Sequence, residues 1–150
     1  MRIADNGLFA GLPAGQMARL QSVLRAAARF ILQLPSRAPV SAYMRDTLHW
    51  LSYPQRIIFK LCLLTYKCLH GLAPPYLSRY CQPLSAHSGR SQLRSAEVHQ
   101  LFVPRIRTTV MGSREFYYAA PASWNDLPPL LRDPSLTLTG FRLMPKTVLF

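Results

Sequence analysis

Between Ser52 and Gly71 the chain carries the start, body and stop signals of a single helix, which obliges its neighbours to cover a broad apolar face. Ser52 and Gln55 have the spacing of a capping box, in which each side chain meets the other residue's backbone amide. Pro54 falls in the first turn, where its missing N–H leaves nothing unpaired, and Gly71 suits the left-handed residue that closes a helix. At ~100° per residue, Ile57, Ile58, Leu61, Cys62, Leu64, Cys68 and Leu69 form one face, with Arg56, Lys60 and Lys67 opposite. Phe59 and Tyr66 flank the basic stripe. As ligand surfaces they offer base stacking; as structure they are core aromatics, a reading of at least equal weight.

A second helix is expected over Gln16 to Leu34, where Met17, Leu20, Leu24, Ala27, Ala28 and Ile31 recur at helical spacing and Arg19, Arg25 and Arg29 gather on another face, giving the helix a basic side. It follows the Gly11-Leu12-Pro13-Ala14-Gly15 break, and Pro35 and Pro39 close it. After Gly71, Ala73-Pro74-Pro75 halts the main helix, and a short helical turn is expected from Tyr76 to Cys81. Ser85 to Ser95 reads as an exposed loop. Leu101 to Val110 is expected to be an extended edge segment, with a tight turn at Met111-Gly112. Arg114 to Ala120 is expected to be a short helix stopped by Pro121, with Trp124 and Leu127 burying it against the main helices. The fold class is therefore mainly α: a small helical domain with extended Pro-rich loops and a loosely ordered C-terminal tail. Its segments are an irregular stretch over 1–15, a basic helical core over 16–82, an exposed loop over 83–100, an extended and short-helix stretch over 101–132 packed on that core, and a tail over 133–150.

Charge narrows the partners. The formal net charge is +12, and fifteen of the eighteen basic residues are Arg, whose planar fork binds phosphate bidentately and stacks on bases. Such a surface fits RNA or DNA backbone; the bland alternative is a basic surface that only maintains solubility. Three cysteines without an apolar leader fit a reducing compartment, nuclear or cytoplasmic rather than secreted, and no apolar run approaches a membrane span. Met17 to Leu34, amphipathic, basic and free of acid, leaves weak association with an anionic membrane or an organelle address open. The sequence does not specify an oligomeric state.

Chemistry is sparse. Cys62, Cys68, His70, Cys81 and His87 invite a zinc reading, yet the short Cys-x2–4-Cys spacing of structural sites is absent, and no metal or cofactor is expected. His49 beside Trp50 lacks a nucleophile and carboxylate to complete a catalytic set and reads as a turn or core contact. Ser123 and Asp126 lack a nucleophile-elbow context. No catalytic residues are assigned. The candidate nucleic-acid contacts are Arg19, Arg25, Arg29, Arg56, Lys60, Lys67, Arg105 and Arg107, which would bind phosphate without reading sequence.

Several segments together resemble a known family. Leu64-Thr65-Tyr66-Lys67-Cys68-Leu69-His70-Gly71-Leu72-Ala73-Pro74-Pro75-Tyr76-Leu77 is similar to a run ending in Leu-His-Gly-Leu-Ala-Pro-x-Tyr-Leu in LINE-type, non-LTR retrotransposon reverse transcriptases. Asn6 to Pro13 matches that family's Asn-x-Leu-x-x-Gly-Leu-Pro, and Ala119-Ala120-Pro121-x-x-Trp124-Asn125-x-Leu127-Pro128 follows in the family's order. The resemblance covers nearly the whole chain and corresponds to the region beyond the polymerase palm, which implies a thumb-like helical region and C-terminal extension that help to hold template RNA and target DNA.

It does not imply polymerase activity. Nucleotide transfer needs palm carboxylates around two divalent ions, whereas Asp5, Asp46, Asp126 and Asp133 are scattered. The chain departs from the family at Cys62, Cys68, Tyr117 and Tyr118, and Gly140 and Pro145 are expected to break its terminal helix. The functional expectation is a catalytically inactive fragment with residual nonspecific RNA or DNA binding. The competing reading is a translated remnant or orphan protein without an evolved biochemical role, or one acting through protein contacts only.

Overall fold

A computed structural model describes residues 10, 12–86, 99–106 and 115–149, with side chains described as far as residue 143. The structure is mainly helical: α1 (Ala14–Ile31), α2 (Ser41–Asp46), α3 (Tyr53–Leu69), α4 (Pro75–Ser78), α5 (Phe116–Asn125) and α6 (Leu138–Leu149), with 3-10 turns at Leu84–Ala86 and Pro129–Arg132. The expected turn at Met111-Gly112 lies outside the described residues.

α3 is the hub, touching α1, α4, α5 and α6. Its ends form as its sequence dictates. The Ser52 N–H donates to Gln55 Oε1 at 2.8 Å within a complete capping box, and Gly71 takes a φ of 69°. The Leu72 N–H then folds back to the Lys67 carbonyl at 2.8 Å, the six-to-one bond of a Schellman stop. Of the two readings of Tyr66 the core one holds: it is 3 % exposed and offers no stacking surface. Its ring stacks on Phe141 at 4.6 Å and its hydroxyl donates to the Leu136 carbonyl, so α6 covers the side of α3 on which Tyr66 lies. Phe59 is half-buried, and Ile58, expected on the buried face, is exposed.

The largest core cluster joins Cys62, Tyr66 and Cys68 of α3 to Cys81, Leu101, Trp124, Leu127, Leu131 and Phe141. A second, of Ala28, Val40 and Met44 with Leu24 and Trp50, ties α1 to α2. A third, of Ile57, Leu61 and Ala119 with Met17, joins α3 to α5 and α1.

Two proline expectations are corrected. Pro121 does not stop its helix, since α5 runs on to Asn125 with Pro121 inside it. An interior proline costs about 3 kcal/mol. Trp124, in the next turn, is 2 % exposed, and full burial of an indole is worth on the order of 4–6 kcal/mol at ~25 cal/mol per Å2, enough to offset that cost. Nor do Gly140 and Pro145 break the last helix, which spans Leu138–Leu149. Gly140 lies in the first turn, where its N–H donates to Thr137 Oγ1 at 3.2 Å, and Phe141, 0 % exposed, anchors the element between Tyr66 and Trp124.

Of the edge segment expected over Leu101 to Val110, residues 107–110 lie outside the described residues; the described part makes one antiparallel bridge, between Pro83 and Leu101, flanked by Leu84 N–H to Gln100 O and Phe102 N–H to Gln82 O, both at 2.9 Å. The backbone over 102–106 is irregular.

Candidate nucleic-acid interface

α1 and α2 meet the start of α3 around a cleft of about 700 Å3. Gln21 on α1 fixes the approach by accepting the Tyr53 N–H at 2.6 Å, which also satisfies an amide that the first turn of α3 leaves unpaired. Arg25 from α1 and Arg45 from α2 line the cleft together with Met17, Met44 and Trp50. Both arginines are exposed. Arg45 Nε pairs with Asp46 Oδ1 at 2.8 Å, and the hydrogen bond from Arg45 holds the Asp46 carboxyl below its usual range. Among the described residues Arg25 has no carboxylate within ion-pair distance. Behind the cleft, the Arg56 guanidinium lies 5.4 Å from the Trp50 ring centroid, and its Nε donates to the Leu51 carbonyl at 3.1 Å.

The other basic residues divide by position. Arg29 is half-buried and donates from Nε to the Ala38 carbonyl at 3.1 Å, fastening the turn after α1. Arg19 does not share a face with Arg25, because six residues at ~100° each place them about 120° apart around α1. It lies instead on the stripe of Val23 and Phe30, which are 68 % and 85 % exposed. Arg56, Lys60 and Lys67 fall within about 40° of one another on α3 and are each half-buried. Arg105 is exposed beyond the Pro83–Leu101 bridge. Arg107 lies outside the described residues.

Arg45 escaped the sequence reading, and Trp50 entered it only as the neighbour of His49. They flank a turn after a six-residue helix too short to show a period, and only the docking of α1 brings Arg25 to them.

The zinc candidates do not converge. The Cys62 thiol faces the Ser123 carbonyl at 3.5 Å, and burial pushes it up to about 12. Cys68 and Cys81 are hydrogen-bonded to each other, which lowers the Cys68 thiol's pKa and raises that of Cys81. The His70 ring stacks on Tyr66 at 3.9 Å, with Nδ1 2.8 Å from the Tyr66 carbonyl. His87 lies outside the described residues, and among those described no group of three His, Cys, Asp or Glu side chains could hold a metal. His49 is exposed, directly after the turn at Thr47 and Leu48, with a left-handed φ of 49°. Among the described residues no helix is long and apolar enough to cross a membrane. No protein-family model, curated protein or solved structure matches the chain significantly.

Proposed function

We propose that the chain is a catalytically inactive fragment related to the post-palm region of LINE-type reverse transcriptases, which binds RNA or DNA nonspecifically through its basic helix faces. The observation that supports this reading most is the cleft that Arg25 and Arg45 share with Trp50 in a chain of net charge +12. Two guanidinium groups from different helices can grip successive phosphates, and the α3 stripe of Arg56, Lys60 and Lys67 extends the positive field. Backbone contacts of this type carry no sequence information.

Replacing Arg25 and Arg45 together by Glu tests it. Removing two phosphate contacts should flatten the slope of log affinity against log salt for single-stranded RNA by about 1.4. An unchanged slope with unchanged affinity would remove the cleft from the interface. Action through protein contacts only is the second reading, and the exposed Val23, Phe30 and Ile31 on α1 favour it. It calls for no salt-dependent nucleic-acid binding at all.

A further inference from the structure

Cys68, in the last turn of α3, and Cys81, beyond the end of α4, belong to the same core cluster and are 6 % and 4 % exposed. The turn between them brings them together. Gly71, at a φ of 69°, closes α3, and Pro74 and Pro75 start α4. The Cys81 N–H then donates to the Ser78 carbonyl at 3.0 Å, which returns the chain to the side of α3. The Cys81 thiol donates to the Cys68 sulfur, and the Ser78 hydroxyl donates to it as well. Both cysteines are free.

The two thiols are unlike. The hydrogen bond from Cys81, with that from Ser78 adding to it against the effect of burial, holds the Cys68 thiol below its ordinary value, and the same bond holds the Cys81 thiol above it. The thiolate is the reactive form of cysteine, so Cys68 is the attacking member of the pair and Cys81 the resolving one. Cys62 has a different setting: its thiol faces the Ser123 carbonyl and is pushed up to about 12. Access to the pair runs past α4, whose Ser78 lies against Cys68. That helix is four residues long with none buried, so a short local opening admits a small oxidant.

We propose that Cys68 and Cys81 are a reversible dithiol–disulfide pair that is oxidised by hydrogen peroxide. The Cys68 thiolate attacks one peroxide oxygen, the O–O bond breaks and water departs, leaving a sulfenic acid on Cys68. The Cys81 sulfur then attacks the Cys68 sulfur, the S–O bond breaks, and the hydroxyl leaves with the Cys81 proton as a second water. Two thiols and one peroxide give one disulfide and two waters; the sulfurs lose two electrons and the peroxide gains them. Two molecules of reduced glutathione reverse the bond by thiol–disulfide exchange and leave as glutathione disulfide. In a reducing compartment a bond of this kind is a transient sensor, not a permanent staple. It closes the fourteen residues from Cys68 to Cys81 into a ring and clamps the turn at Gly71 to Pro75 against the end of α3.

The test is peptide mapping of the full chain after hydrogen peroxide treatment in native buffer, with the remaining thiols alkylated in urea. Trypsin places the three cysteines on separate peptides, 61–67, 68–79 and 80–90. The expected product joins 68–79 to 80–90 within one chain, leaves Cys62 alkylated, and returns to three thiols with reduced glutathione. In Cys68→Ser, Cys81 should remain a thiol at the same dose. Peroxide should also raise the urea midpoint of the unaltered protein by about 1–3 M more than that of Cys68→Ser. A bond to Cys62, oxidation of Cys62 at an equal rate, pairing only in protein already unfolded by urea, sulfinic acid on Cys68 without pairing, or an unraised midpoint would overturn the proposal.

Discussion

The side-chain amide of Asn125 pairs with both backbone groups of Leu101, its Nδ2 donating to the carbonyl at 2.9 Å and its Oδ1 accepting the N–H at 2.8 Å. A strand neighbour would satisfy Leu101 in the same way. With Trp124 Nε1 bonded to the His99 carbonyl, consecutive residues of α5 hold the 99–101 segment against the core. Asn125→Ala strands two backbone groups beside buried Leu101 and should cost on the order of 2–4 kcal/mol in denaturant unfolding. A loss below about 0.5 kcal/mol, the range of an ordinary surface substitution, would show that the clamp contributes little.

Gly71 presents a purely conformational case. Its φ of 69° favours glycine, and a Cβ there would meet nothing within 4 Å. Gly71→Ala should therefore destabilise by about 1 kcal/mol through backbone strain alone, and Gly71→Asn by less, since Asn tolerates the left-handed region. Equal losses would point to a contact rather than to φ.

Phe141 joins α6 to α3 and α5 by stacking on Tyr66 and Trp124. Phe141→Ala should cost about 3–5 kcal/mol, the usual range for a buried phenylalanine. Limited proteolysis should then cut near the start of α6 before the α1–α3 region. Simultaneous cleavage throughout the chain would mean that α6 is not a separable layer.

Cys62 supplies a pH signature. Burial, with Asp126 adding to it, raises its thiol from 9.0 to about 12, so the folded state holds this proton more tightly than the unfolded chain does. The resulting stability is complete below pH 9.0 and is lost as pH climbs to about 12. Between these values the urea midpoint of the unaltered protein should fall more steeply than that of Cys62→Ala. Parallel curves would contradict the assignment.

Local signals and long-range ones divided in how far they could be read. The cap at Ser52, the stop at Gly71, burial of Trp124 and Leu127, and the helix expected over Gln16 to Leu34, which runs instead over Ala14–Ile31, follow from short-range rules that tertiary contacts only reinforce. Pro121 misled because breaking a helix is a local tendency, which burial of Trp124 outweighs, and Gly140 because it falls in the first turn of its helix, where it interrupts nothing. Tyr66 could not be placed from its own helix, since the partner that covers it lies seventy residues further along the chain. In the candidate interface Arg25 was legible and its neighbours Arg45 and Trp50 were not, because the cleft exists only once α1 docks on α2 and α3.

Nucleic-acid binding itself is tested most directly by fluorescence anisotropy of the full-length protein with single-stranded RNA and with duplex DNA across a salt series, with circular dichroism in the same buffers. Four to six phosphate contacts correspond to slopes of log affinity against log salt of about −3 to −4 on single strands and −4 to −5 on duplex. The expected result is a helical protein that binds both with slopes in those ranges and little sequence preference. A helical protein whose binding is salt-independent, or no tighter than that of a scrambled peptide of equal charge, would contradict the proposed function.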